Sequence, residues 1–291
     1  MATIEDTMIE YLYLGRLDYA EGLGLQAEMA ELVTAGRLAN VLLLLEHPAV
    51  LTLGRNGKRA NVLASDELLA ARGVQLHQIN RGGDVTYHGP GQLVGYPIFD
   101  LRSLRGPSGG RMGPVDFVRG MEEALIRVCL GYGVRAGRVA GLTGVWCGGQ
   151  GLGTEGLEAG GSERKIGAIG IHVAKGITSH GFAFNVTTDL RDFEMIVPCG
   201  IADHAVTSLE REMAPQAGVP ALEAVAHEAA RQFGRVFDQQ VLAVDSLAAL
   251  RSHAKPALEF PAQQFPAEDT PLRVPRELER LRGAGEGPVR A

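Results

Sequence analysis

Apolar runs and amphipathic stretches alternate along the chain without a regular strand–helix–strand rhythm. They predict an α/β (α+β) fold, a mixed β-sheet flanked by helices, rather than a doubly wound parallel sheet. Three observations carry this expectation. Short apolar runs have the length of buried strands, and two longer stretches place apolar residues at helical spacing. Glycine is abundant at 39 residues while aromatics are only 5%, so many tight turns join modest elements.

In chain order, residues 24–36 have leucines and a methionine spaced for a helix, although its glycines are costly. Residues 41–45 predict a buried strand running into the loop Glu46-His47-Pro48, and residues 50–53 a short strand ending at Gly54. Residues 92–101 form another apolar strand, in which Pro97 implies an edge or a bulge. Between 115 and 131, Val118, Met121, Leu125 and Cys129 recur on one face, with Pro114 at the start and Gly131 at the end of a helix. Residues 139–147 and 166–173 resemble the two strands of a long hairpin. Their connection, 148–164, holds seven glycines in 17 residues. Residues 181–186 and 193–197 predict two further short strands, and 221–237 a second amphipathic helix. From Lys255 onward the chain carries six of its 14 prolines, which predicts a tail outside the core. The expected division is a core domain over 1–245 and a Pro-rich extension over 246–291.

Hydrophobic residues make up 45% and charged residues 21%, a globular balance. The net charge of −6 argues against a nucleic-acid binder and gives no reason to expect membrane attachment. The N-terminus shows no signal peptide, and the longest apolar run is too short to span a bilayer. Cys129, Cys147 and Cys199 form neither a disulfide framework nor a zinc pattern, and the eight histidines show no metal-ligand spacing. A soluble, reduced, cytoplasmic protein without a metal is expected.

Cys199 lies in Pro198-Cys199-Gly200, on a turn after an apolar strand. Loops of this kind often display reactive groups, although a cysteine by itself is more often a packed hydrophobe. Cys129 falls on the apolar face of a helix and reads as packing. Cys147, after Trp146, remains the rival nucleophile. Lys165 reads as a surface residue unless the fold brings it to a thiol. There its ammonium would stabilise the thiolate, and its amine could carry protons. The cassette 81–92, RGGDVTYHGPGQ, has too many special residues for a passive loop. Gly82-Gly83 permits close backbone approach, and Gly89-Pro90-Gly91 fixes a turn after His88. Residues 168–170 and 181–183 are small residues on strands, suited to lining an apolar channel or simply to close packing. The G-x-G-x-x-G match at Gly151, Gly153 and Gly156 leads into a strand rather than a helix and carries no nucleotide reading.

Six segments in order resemble the octanoyltransferase (LipB) family: EHPAVLTLGR from Glu46, RGGDVTYHGPGQLVGYPI from Arg81, TGVW from Thr143, KIGAIGIH from Lys165, GFAFNV from Gly181 and PCGI from Pro198. The similarity covers roughly Tyr11 to Phe237, and residues after about Ser246 go beyond it. The resemblance implies the fold of biotin and lipoyl protein ligase catalytic domains. It also implies transfer of octanoyl from octanoyl-acyl carrier protein, through a thioester on Cys199, to the ε-amine of a lysine on a lipoyl domain. Acceptors would be 2-oxoacid dehydrogenase subunits and the glycine cleavage H protein. Lys165 matches the family's catalytic lysine, which lowers the cysteine pKa and shuttles protons. Arg81, Gly82, Gly83, Asp84, Val85, Thr86, Tyr87, His88, Ala168, Ile169, Gly170, Gly181, Phe182 and Ala183 match its substrate-binding residues. The thioester is already activated, so no cofactor, ATP or metal is implied. The nearest alternative is an ATP-dependent lipoate or biotin ligase, faintly echoed by Gly54-Arg55-Asn56-Gly57-Lys58-Arg59. A non-catalytic binder of acylated carrier proteins is the reading from another class.

Overall fold

The computed structural model describes residues 8–148, 163–197 and 205–256. Cys199, most of the glycine-rich connection and the stretch from residue 257 lie outside the described residues. In chain order the first elements are β1 (Met8–Arg16), α1 (Tyr19–Thr34), β2 (Asn40–Glu46), β3 (Val50–Leu53), α2 (Asp66–Ala71), β4 (Gln75–Gln78), β5 (Val85–His88) and β6 (Gln92–Ile98). Then follow α3 (Pro114–Gly131), β7 (Ala136–Val139), β8 (Leu142–Cys147), β9 (Arg164–Ala174), β10 (Ile177–Asn185), β11 (Ala205–Val206), α4 (Leu209–Glu212), α5 (Leu222–Phe237), β12 (Gln240–Ala243) and α6 (Leu247–Ser252).

The large sheet runs β12-β1-β2-β6-β10-β9-β8-β7, with β11 paired beside β9, and a small sheet runs β4-β3-β5. The pairings of β1 with β2 and β12 are parallel, whereas β2–β6, β6–β10, β10–β9 and β9–β8 are antiparallel. The expected mixed sheet flanked by helices is the fold found.

Strand alternation divides the interior between the two faces of the sheet. On β2, Leu42 and Leu44 join the core under α3 and α5, whereas Val41, Leu43 and Leu45 join the core under α1 and α6. The α3 face buries Met121, Leu125 and Cys129 as spacing predicts, with Phe117 in place of the expected Val118, which is only half-buried, and packs them with Phe233 and Phe237 from the predicted stripe of α5. Leu250 of α6 is fully buried with Met29 and Val33 of α1. A third core lies between the small sheet and the 3-10 turn Leu190–Met195, and includes Val85, Tyr87 and Phe193.

Several expectations change. Helix α1 begins at Tyr19, five residues before the expected start, because the Asp18 side chain accepts from Ala20 N–H and caps it. Residues 193–197 are not a strand. The 3-10 turn occupies 190–195, and only Ile196 makes an isolated bridge, to Val62. Strand β6 is central rather than an edge. Its ladder with β2 continues through Pro97, opposite Leu42, but its ladder with β10 stops at Gly95 opposite Phe182. Past that point the Thr178 hydroxyl replaces the ladder: it accepts from Phe99 N–H at 2.9 Å and donates to the Pro97 carbonyl at 2.6 Å. A proline is tolerated there because no strand hydrogen bond is asked of its nitrogen. The stretch 139–147, expected as one strand, is two: β7 and β8 meet around Gly141, and β8 then pairs antiparallel with β9 across the connection, as the expected long hairpin requires.

Candidate active site

A cleft opens between the small sheet and the large one. Its lining includes Arg81, Gly82, Gly83, Asp84, Thr86 and His88 from the cassette, with Ala168, Ile169, Gly170, Gly181, Phe182 and Ala183 from β9 and β10. Val85 and Tyr87 turn the other way, because strand β5 sends alternate side chains to opposite faces. Val85 packs in the small-sheet core, and the Tyr87 hydroxyl donates to Asp192 at 2.6 Å.

The floor is built from small residues in register: Ala183 lies opposite Ala168, and Gly181 opposite Gly170. Their smallness has a definite cause. A Cβ on Gly170 would come within 2.7 Å of the Gly82 carbonyl oxygen, so only glycine lets the cassette lie on the sheet. That contact is fixed by Gly82 N–H donating to the Ile171 carbonyl at 3.0 Å. The cassette is also zipped to the loop after β3. Gly54 N–H donates to the Asp84 carbonyl at 2.9 Å, and Arg55 N–H to the Arg81 carbonyl at 3.0 Å. The Asp84 carboxylate accepts from Lys58 N–H at 3.1 Å and from the Asn61 amide. Arg81, 8% exposed, donates to the Thr52 carbonyl at 2.8 Å and to its hydroxyl at 2.9 Å.

Four lining residues were not anticipated: Tyr19, Val94, Tyr96 and His180. Tyr19 and Tyr96 belong to a buried cluster of rings with His47 and His88. The Tyr19 ring centroid lies 5.0 Å from that of His47 and 6.0 Å from that of His88. His47 donates from Nδ1 to the Leu17 carbonyl at 2.7 Å and accepts from the Tyr96 hydroxyl at 2.7 Å. The Gln92 amide nitrogen donates to Tyr87 O and Asn185 Oδ1, so its Oε1 accepts from His88 Nδ1 at 2.8 Å. This leaves His88 Nε2 unprotonated in the neutral ring. Burial, reinforced by His47 and Arg81, pushes the His88 pKa down to about 3. Burial likewise lowers His180 to about 4, with Arg81 adding to it. His180 also carries a φ of 55°, and is held by Gln26 at its backbone N–H and by Asn80 at its ring. Signals existed for some of these residues. Asp18 followed by Glu21 is a helix-start pattern that places Tyr19 at the first turn, and His180 directly precedes the glycine of GFAFNV.

Lys165 does not line the cleft itself. It stands three residues before Ala168, a separation that plain alternation would send to the opposite face. A β-bulge intervenes: Val145 opposes Gly167, but Trp146 opposes Lys165, and the extra residue Ile166 enters the α3 core. Lys165 therefore shares the cleft face with Ala168 and Gly170. It is 9% exposed, with its ammonium 4.6 Å from the centroid of the Trp146 ring. Strand β11, six residues after Cys199, runs parallel to it, with Val206 opposite Lys165 and Thr207 N–H donating to the Lys165 carbonyl at 2.9 Å. Before Cys199, Val197 N–H donates to the Asn61 carbonyl at 2.7 Å. Cys129 and Cys147 are fully buried in the α3 core. Burial pushes the Cys147 thiol up to about 12, so the rival nucleophile is neither exposed nor ionised near neutrality.

Fold and cleft define a catalytic domain of the lipoyl protein ligase type. Residues 18–233 match the lipoyl protein ligase A/B catalytic domain family. The solved bipartite lipoate protein ligase of Thermoplasma acidophilum aligns with a TM-score of 0.61 at 18% identity, covering 84% of this chain and 90% of that one. A lipoate-protein ligase A bound with ATP aligns at 0.56 and 18%, covering 84% and 92%. At such identities the likeness concerns the fold. The octanoyltransferase of Acidobacterium capsulatum is 60% identical over 243 residues, 82% of this chain and 94% of the relative. That of Koribacter versatilis is 46% identical over 274 residues, 94% of this chain and 97% of the relative, a match that runs past Ser246, where the shared region was expected to end. The chain belongs to the octanoyltransferase family and is an acyltransferase.

Proposed function

We propose that the protein moves octanoyl from octanoyl-acyl carrier protein to a lysine ε-amine on a lipoyl domain, through a thioester on Cys199. The observation that carries this is the bulge at Ile166, which sets Lys165 on the cleft face beside the strand that follows Cys199.

In the proposed cycle Lys165 takes the Cys199 proton, and its ammonium stabilises the thiolate. The thiolate attacks the thioester carbonyl, a new carbon–sulfur bond forms, and the bond to the carrier's sulfur breaks. The carrier's thiolate leaves with the proton from Lys165. The acceptor amine then attacks the Cys199 thioester, the amide bond forms, Cys199 departs as thiolate and the surplus amine proton passes to Lys165. The cleft-facing cassette residues, without Val85 and Tyr87, would hold the acyl chain together with Ala168 to Gly170 and Gly181 to Ala183. A small-residue floor suits an extended methylene chain, which asks for close apolar contact and no hydrogen bond.

The test is reconstitution with octanoyl-acyl carrier protein and an unmodified lipoyl domain, without ATP. Octanoylation of the lipoyl-domain lysine is expected, slowed in Lys165→Ala. A strict requirement for ATP would instead assign the chain to the ligases. Binding of octanoyl-acyl carrier protein without transfer would make the chain a non-catalytic binder of acylated carrier proteins.

A further inference from the structure

Glu122 of α3 is fully buried, yet it bears a carboxylate. Its Oε2 accepts from Arg119 Nη1 at 2.7 Å and Arg138 Nε at 3.1 Å, and its Oε1 accepts from the Gly144 backbone N–H at 3.0 Å. The two arginines satisfy one oxygen, and the other is committed to a backbone group on β8. Burying a carboxylate is costly unless it is paired and hydrogen-bonded, so this arrangement pins β8 to α3 at one residue.

That residue lies against Lys165. Gly144 has a φ of 126°, a conformation reserved for glycine. A Cβ built on it would lie 2.6 Å from the Gly167 carbonyl oxygen and 3.4 Å from Lys165 Cε. The lysine stem thus passes over Gly144, and its ammonium rests over Trp146, two residues further along the same strand. We infer that Glu122 is a positioning residue for Lys165: by holding the Gly144 N–H it sets the strand on which the lysine stem and the Trp146 ring lie.

The consequence for turnover rests on the reading of Lys165 as the proton carrier; the consequence for geometry does not. Trp146 is the single tryptophan of the chain, so indole emission reports directly on the ammonium above it. The experiment compares emission and steady-state octanoyl transfer in the wild type, Lys165→Met, Glu122→Gln and Arg119→Gln. Lys165→Met should change the emission intensity by removing the cation from the ring. Glu122→Gln should reproduce that change and lower kcat about tenfold with KM nearly unchanged, since small misplacements of a reacting group cost orders of magnitude in rate. Arg119→Gln leaves the Gly144 bond and Arg138 in place, and should match the wild type in both readouts. Should Glu122→Gln not fold, Glu122→Asp keeps a carboxylate for the two arginines but draws it one methylene back from the Gly144 N–H, and should give the same signature. Wild-type emission and kcat in a folded Glu122→Gln, or in Glu122→Asp, would overturn the inference. Altered emission with unchanged kcat would leave the positioning intact and remove Lys165 from the chemistry.

Discussion

Gly170 and Gly82 meet so closely that a single methyl group on Gly170 would stand 2.7 Å from the Gly82 carbonyl oxygen. This contact joins the cassette to the floor of the cleft, so the width of the acyl site depends on it. Gly170→Ala should lift the cassette, raise KM for the octanoyl donor about tenfold and cost about 1–3 kcal/mol of stability, the usual range for overpacking. An unchanged KM in a stably folded variant would show that the cleft tolerates the added methyl group.

Gly181 is the more severe position. A Cβ there would collide with the Gly95 carbonyl oxygen and Pro97 Cδ, where the β6–β10 ladder gives way to the Thr178 hydroxyl. Both glycines face a backbone carbonyl, but the approach at Gly181 is closer and falls between two central strands, which cannot give way as the cassette loop can. Gly181→Ala should therefore lower the urea midpoint more than Gly170→Ala does, and the reverse order would contradict this packing.

Cys147 should be dispensable for transfer. Its thiol is fully buried and pushed up to about 12 by burial, with Glu212 adding to the shift. Cys147→Ala is expected to retain near-wild-type rates while losing roughly 1 kcal/mol from the small cavity. Loss of transfer without loss of folding would restore it as a nucleophile.

His88 and His180 make stability fall in acid. Their folded pKa values, about 3 and about 4, lie below the ordinary histidine value. Between roughly pH 6.5 and those values the unfolded chain binds protons that the folded chain refuses. Stability is thus fully present above about pH 6.5 and declines as pH falls, by up to about 1.4 kcal/mol per pH unit for each histidine. Urea unfolding at pH 7 and pH 5 measures the slope, and His180→Gln should flatten it. A slope unaffected by that substitution would mean that His180 is not held neutral by the fold.

Much of this architecture is legible in the sequence, for local reasons. The apolar faces of α3 and α5, the buried runs of β2 and β3 and the turn-rich cassette each carry their signal within a few residues. What escaped depends on contacts distant in sequence. Pro97 suggested an edge or a bulge because the Thr178 hydroxyl that substitutes for its ladder lies 81 positions away. Residues 193–197 read as a strand because their apolar content serves the small-sheet core equally well from a 3-10 turn. Lys165 and Ala168 could not be placed on one face by alternation, since the bulge that unites them is set by the pairing of β8 with β9. Tyr19, Tyr96 and His180 reach the cleft from three separate elements, and only the fold assembles them.

The most direct measurement is the site of acylation. The full-length protein is incubated with octanoyl-acyl carrier protein in the absence of acceptor, digested at low pH and mapped by peptide mass spectrometry. The expected result is an octanoyl adduct on the peptide containing Cys199, absent in Cys199→Ser and slow to form in Lys165→Ala. An adduct on Cys147, or transfer undiminished in Cys199→Ser, would contradict the proposed thioester.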